Sequence, residues 1–233
     1  QVFKQIRSTV VLAAPTGRAA RRLSETTGKK AVTLHKLLGF DTEQGTVEHN
    51  YTNPLNLDVM VVDEASMVDT LLMHHLLQAM PAAARLILVG DTFQLPSVGP
   101  GNVLSDIMDS GRIRVFALTK IFRQAQKSPI VRHAHDIRNG QMPDFKAREE
   151  AGLSEFYFIE NQHSDKVTAT ILELCANRIP GAFPHITDFQ VLTPMHRGEA
   201  GTINLNQQLQ AVLNPGKGGI DSHGITFRSK DQV

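Results

Sequence analysis

The chain is short of cysteine, of long apolar runs and of net charge, and each shortage removes a class of protein. Its one cysteine, Cys175, cannot form an internal disulfide, and a metal centre of the cysteine-rich kind is excluded. A single thiol in 233 residues fits a reducing compartment, so a cytoplasmic location is expected. No apolar stretch approaches the ~20 residues that a membrane helix needs. Nor does the start of the sequence show the charged-then-apolar pattern of a secretory signal, so no membrane partner is expected. With 24 Lys and Arg against 23 Asp and Glu, the net charge is only +1.

That charge is unevenly spread. Residues 1–40 carry eight basic side chains (Lys4, Arg7, Arg18, Arg21, Arg22, Lys29, Lys30, Lys36) and one acid, Glu25. Residues 41–118 hold ten acids against three basic residues, and 119–150 turn basic again, seven to four. A near-neutral chain with basic blocks can bind a polyanion through a local patch, or these blocks are simply solvated helix faces.

Short β-branched and apolar runs alternate with helical patterns. Ser8–Ala14, Asp58–Val62 and Arg85–Val89 read as buried strands. Between them, Arg18–Glu25, 31–39 and Ser66–Met80 read as helices, the second stopped by Gly39 and the third by Pro81. This spacing predicts an α/β fold, a parallel sheet with crossover helices. In such sheets ligands sit at the C-terminal ends of the strands. The loops at 15–18, 63–66 and 90–99 all fall there. A further strand is expected at Val115–Leu118, and a second α/β unit from about residue 119. In that unit strands are expected at Phe156–Ile159 and Gln190–Leu192, and helices within 119–140, at Lys166–Arg178 and at Thr202–Leu213.

The most informative segment is DVMVVDEASMVD, residues 58–69. A buried strand delivers two adjacent carboxylates, Asp63 and Glu64, to its tip. In nucleotide hydrolases such a pair divides its work: the first carboxylate holds Mg2+ and the second orients or deprotonates the attacking water. The alternative is the acidic first turn of a helix capped by Ser66. In GDTFQLPSVG, Gln94 can donate its amide N–H to a phosphate oxygen and accept from a water, or the segment is turn chemistry alone. In APTGRAA, Thr16, the Gly17 backbone and Arg18 offer donors suited to a phosphodiester. In LTKIFRQ, Arg123 is either an arginine that neutralises a transferring phosphoryl group or a surface residue. No GxxxxGK[ST] phosphate-binding loop occurs anywhere in the chain.

In this order and at these spacings, the segments resemble superfamily 1 DNA helicases of the RecD type, the exodeoxyribonuclease V alpha subunit and its stand-alone relatives. APTGRAARRLSE with TLHKLLG is similar to motifs Ia and Ib, VVDEASMVD to motif II, LVGDTFQLPSVGPG to motif III and LTKIFRQ to motif IV. VLTPMHRG with LNQQLQAVLNP is similar to a segment of the second motor domain. The resemblance implies a P-loop NTPase (RecA-like) fold. Residues 1–118 would form a first motor domain lacking its phosphate-binding loop, and 119–233 part of a second. The implied cofactors are ATP and Mg2+, with Asp63 on the metal, Glu64 on the water and Gln94 on the terminal phosphate. Arg123 would be the finger from the second domain. Pro15, Thr16 and Arg18 would touch single-stranded DNA, with His35 and Lys36 beside them and Arg197 in the second domain. For His35 a capping or packing role stands as the alternative.

The implied activity is 5′-to-3′ translocation in recombinational repair. The implied partners are single-stranded or duplex DNA and the beta and gamma subunits of an exodeoxyribonuclease V complex. Motif I is expected ahead of the chain and motifs V and VI after it, so the chain is expected to be an internal fragment. As it stands, it is either inactive in ATP hydrolysis or a DNA- or subunit-binding module. No carboxylate cluster with nuclease-like spacing is visible, and the resemblance assigns that chemistry to another subunit.

Overall fold

The computed structural model describes residues 8–41, 43–118, 128–145, 155–186, 189–216, 218–222 and 224–231. They divide into two compact units, one of residues 8–118 and 134–141, the other of 128–133 and 142–231. The boundary runs through a single helix.

In the first unit, β1 (Val10–Ala14) leads into α1 (Gly17–Thr27). The break comes from Pro15 and from Thr16, whose hydroxyl accepts the Ala19 N–H at 3.2 Å and caps the helix. Gly28, at φ 64°, ends α1 in the left-handed region, which costs glycine nothing. Next, β2 (Ala31–Thr33) pairs with β1, and Thr33 caps the one-turn α2 (Leu34–Leu38). The sequence pattern for 31–39 reads as helix only, because three residues are too few to show alternation. Tertiary pairing with β1 makes the first three a strand. The turn-rich stretch that follows contains a small hairpin, β3 (Phe40–Asp41) with β4 (Thr46–Val47).

β5 (Val59–Val62) lies beside β1, and β6 (Arg85–Leu88) lies beside β5. The order is β2-β1-β5-β6, all parallel, with helices between the strands, as the sequence spacing predicts. α3 (Thr70–Ala79) connects β5 to β6 and buries Leu72, Met73, Leu76 and Ala79. It starts later than the apolar pattern suggests. Glu64 takes a left-handed conformation and Ala65–Met67 forms one tight turn. Asp69, not Ser66, then caps the helix by accepting the Leu72 N–H at 2.7 Å. The core sits between sheet and helices, around Leu34, Leu38, Met60, Val62 and Leu76. Burying each of these large side chains is worth about 1.5–3 kcal/mol. α4 (Val103–Asp109), which the sequence pattern did not single out, adds Leu104 to that core.

The expected strand at Val115–Leu118 is not formed. These residues form no regular secondary structure and are exposed, Leu118 fully so, and no described strand lies beside them to complete a ladder.

The second unit contains α6 (Ser164–Glu173), whose last turn widens to a π-helical turn at Leu174–Arg178 and continues as α7 (Ile179–Ala182). Pro180 lacks the N–H that an unbroken ladder would need there. α8 (Thr202–Leu213) agrees with the sequence reading. The helix shared with the first unit, α5 (Pro129–Arg138), stops before Asn139-Gly140, again as the sequence suggests. A hairpin, β7 (Ile220–Ser222) with β8 (Ile225–Phe227), closes the described chain. The strands expected at Phe156–Ile159 and Gln190–Leu192 are absent, and among its described residues this unit has no parallel sheet. Tyr157, Phe158 and Leu192 are exposed, so the apolar content that suggested strands is not backed by burial.

Candidate functional site

Three loops meet at one end of the four-stranded sheet, because parallel strands place all their C-terminal ends together. Ala14 of β1 stands opposite Thr33 of β2, and Ala13 opposite Val62 of β5. Val62 in turn stands opposite Leu88 of β6.

The acid pair is at the centre of this edge. The Asp63 N–H donates to the Ala13 carbonyl at 2.9 Å, which ties the first carboxylate to the end of β1. Asp63 Oδ1 accepts the Glu64 N–H at 3.0 Å, leaving the other oxygen for a cation. Both residues are half-buried. Glu64 sits at φ 52°, one of only two non-glycine residues among those described with positive φ. A bulky side chain held in the left-handed region implies that the surroundings fix it there.

The 90–101 loop packs onto the same turn. Ala65 N–H donates to the Val89 carbonyl at 2.9 Å. At Gly90 a Cβ would come within 2.9 Å of Leu104 Cδ2, 3.0 Å of the Ser66 nitrogen and 3.1 Å of the Ala65 nitrogen. Two of those neighbours are backbone and cannot step aside, so Gly90 is needed for the loop to lie this close. At Gly99 a Cβ would overlap the Asp69 carboxylate that caps α3. The loop is further fixed by Thr70 N–H to the Pro100 carbonyl at 3.0 Å. The Ser97 hydroxyl lies 2.9 Å from the Gly99 carbonyl and 3.0 Å from the Gly101 carbonyl. Within it, Asp91 builds the turn that presents Gln94. Its Oδ1 accepts from Phe93 N–H at 3.0 Å and its carbonyl from Gln94 N–H at 3.1 Å. Gln94 is exposed.

The candidate DNA-contacting residues follow β1 and β2. Pro15 and Thr16 are half-buried and Arg18 is exposed on the first turn of α1. The Thr16 oxygen is engaged as a cap acceptor, so only its O–H proton is available to a phosphate. His35 and Lys36 are exposed on the first turn of α2, brought beside the α1 start by the β1–β2 pairing. The His35 ring meets Phe40 edge-on at 5.3 Å, so the packing alternative is partly realised while the ring stays exposed. Arg197 lies in the second unit, in the turn 195–201, whose first five residues are exposed. A Cβ at Gly201 would meet the Arg197 backbone at 2.6 Å, so this turn is tightly folded. Arg123 falls outside the described residues. Burial pushes the Cys175 thiol up, in keeping with a core role.

The sequence singles out the acid pair and Gln94 but not what holds them: Gly90 and Gly99 as close-approach positions, and Asp69 as the cap that faces Gly99. Asp69 before an amphipathic run was the available signal. The glycine contacts are tertiary and left none.

This sheet edge carries an acid pair on one strand tip and a glutamine loop on the next. The chain belongs to the AAA domain family, which it matches over residues 1–155. Its relatives give the type as RecD, the resemblance read from the motifs. The ATP-dependent RecD2 DNA helicase of Deinococcus radiodurans is 42% identical over 211 residues, 91% of this chain and 27% of that protein. The RecBCD enzyme subunit RecD of Mycolicibacterium smegmatis is 33% identical over 229 residues, 88% of this chain and 41% of that protein. The chain thus spans well under half the length of these relatives. Among solved structures, Bacteroides Pif1 bound to ssDNA is 22% identical, covering 74% of this chain and 48% of that chain, with a TM-score of 0.39. No described helix is long and apolar enough to cross a membrane.

Proposed function

We propose that the chain is the core of an ATP-dependent DNA helicase that moves 5′ to 3′ on single-stranded DNA in double-strand-break repair and recombination. Residues 1–118 act as the first motor domain and 119–233 as part of the second. The observation that carries this reading is the convergence of four strand ends on one sheet edge. The basic, hydroxyl-bearing turns follow β1 and β2, the acid pair follows β5, and the Gln94 loop follows β6. That order supports a DNA-contacting role for the turn after β1 and a hydrolytic role for the acid pair, which the Asp63 N–H ties to the end of β1.

Mg2+ fits this donor set. Asp63 offers one free carboxylate oxygen, and Mg2+ takes its other ligands from nucleotide phosphates and water. When bound, Mg-ATP supplies the phosphoanhydride bond and the charge that the metal neutralises. Glu64 orients and deprotonates the attacking water, Gln94 meets the terminal phosphate, and Arg123 neutralises charge on it. Pro15, Thr16, Arg18, His35, Lys36 and Arg197 hold the DNA strand. Duplex DNA and, by analogy with the RecD relative, the beta and gamma subunits of an exodeoxyribonuclease V complex are the partners this reading implies, in the cytoplasm.

A second reading, a non-catalytic DNA- or subunit-binding module, is favoured by one observation. The 233 residues contain no GxxxxGK[ST], so this stretch alone lacks the lysine and amide cradle that ATP turnover needs. The test is ATP hydrolysis by the full protein with and without single-stranded DNA, beside Glu64→Gln. DNA-stimulated hydrolysis that Glu64→Gln abolishes, with DNA affinity retained, supports the helicase. Hydrolysis unaffected by Glu64→Gln refutes it.

A further inference from the structure

Phe93 immediately precedes Gln94, and its ring is 60% exposed. The Arg138 guanidinium lies over that ring, its Cζ 3.8 Å from the centroid. Arg138 is the last residue of α5, remote in sequence from the loop it touches. A planar cation at this distance from an aromatic face is attracted by the ring quadrupole, and arginine adds stacking that lysine cannot.

The 90–101 loop is secured at both ends. Its start lies against Ala65 and Ser66 through Gly90, and its end against Asp69 and Thr70 through Gly99 and Pro100. The middle is not secured in that way. Leu95 is 81% exposed and Val98 fully so, and Gln94 is held by backbone bonding to Asp91. Phe93 shares that Asp91 turn, since its N–H donates to the Asp91 carboxylate. Fixing the Phe93 ring therefore fixes the turn from which the Gln94 amide projects.

We propose that Arg138 is a positioning residue for Gln94, acting through Phe93. This rests on Gln94 being the phosphate-contacting residue of the proposed function. Arg138 touches no substrate. It narrows the orientations of the 91–94 turn, so that the amide meets the terminal phosphate without first having to be ordered. Phe93 lies within the GDTFQLPSVG motif but Arg138 lies outside every motif, 45 residues further along the chain, so no motif reveals the contact.

The test is steady-state, DNA-stimulated ATP hydrolysis by the full protein carrying Arg138→Ala, Arg138→Lys, Phe93→Leu, Gln94→Ala and the Arg138→Ala/Phe93→Leu double substitution. Arg138→Ala is expected to lower kcat about two- to fivefold, the range open to an exposed cation–π contact, with KM for ATP and affinity for single-stranded DNA nearly unchanged. Arg138→Lys should recover part of the loss, and the double substitution should be no worse than the worse single one. Wild-type kcat in Arg138→Ala, or additive losses in the double substitution, overturns the proposal while a Gln94→Ala defect leaves the proposed function standing. Wild-type kcat in Gln94→Ala instead overturns the sensor reading on which the proposal rests.

Discussion

The two units are held together by different chemistry. The first is organised around a parallel sheet whose strands and helices share one apolar core, with Leu34, Leu38, Met60 and Leu76 fully buried. The described part of the second has few buried apolar side chains, Leu205 and Cys175 among them. Side chains that bond backbone do much of its organising. The Thr168 hydroxyl donates to the Glu199 carbonyl at 2.9 Å, and Thr193 to Ala200 at 2.7 Å. Asn214, just after α8, and Gln210 within it donate to carbonyls of the C-terminal hairpin region, at 2.9 Å to Ser229 and 2.7 Å to Thr226. Hydrophobic burial is non-directional and is tolerant of surface change, whereas these polar ties are individually small and depend on geometry. The hydrolysis proposed above needs fixed positions, and the acid pair and the Gln94 loop lie on the unit with the apolar core.

The largest expected effect concerns that edge. Glu64→Gln in the full protein should lower ATP turnover about 10²–10⁴-fold, the usual worth of a general base, while leaving thermal stability close to wild type. Next comes the core beneath it. Leu76→Ala should destabilise the first unit by about 2–5 kcal/mol, read from urea unfolding. If Leu76→Ala costs less than Thr168→Val in the second unit, the contrast drawn here between apolar and polar organisation is wrong.

Gly90→Ala tests the close approach of the loop to the acid pair. A methyl there has backbone on two sides and should cost about 1–3 kcal/mol and reduce turnover, measured together on the full protein. Thr168→Val keeps the shape and removes one donor, so a loss of about 1 kcal/mol is expected, detectable as faster amide exchange in the 195–201 turn. The smallest effect is a pH dependence confined to the second unit. Asp231 accepts from the Arg228 N–H, the Asn214 amide and the Gln210 amide, which hold its carboxyl below the usual carboxylate range. A depressed carboxyl contributes stability that is complete above its unfolded value of about 3.9 and lost as the pH falls through the folded value. The protection of the β7–β8 hairpin amides against hydrogen exchange, corrected for the intrinsic rate at each pH, should therefore fall on acidification below about pH 4, and Asp231→Asn should flatten that response.

Much of the first unit could be read in the sequence because its signals are local. β-branched runs, Gly39 and Pro81 as stops, and a carboxylate pair at a strand tip are each visible within a few residues. The reading overextended where apolar content lacked a neighbour: Val115–Leu118, Phe156–Ile159 and Gln190–Leu192 have strand composition, but no described strand pairs with them. It also fell short where a partner was distant, since Ala31–Thr33 becomes a strand only by lying against β1.

The sequence by itself determined which carboxylates, which glutamine and which basic turns follow strands of a parallel sheet. Those choices rest on side-chain identity and short-range spacing, which a linear chain carries in full. Only the tertiary structure decided the left-handed pose of Glu64, the close approach through Gly90 and Gly99, and the stacking of Arg138 on Phe93. These depend on atoms brought together across tens of residues, where packing rather than local preference sets the distance.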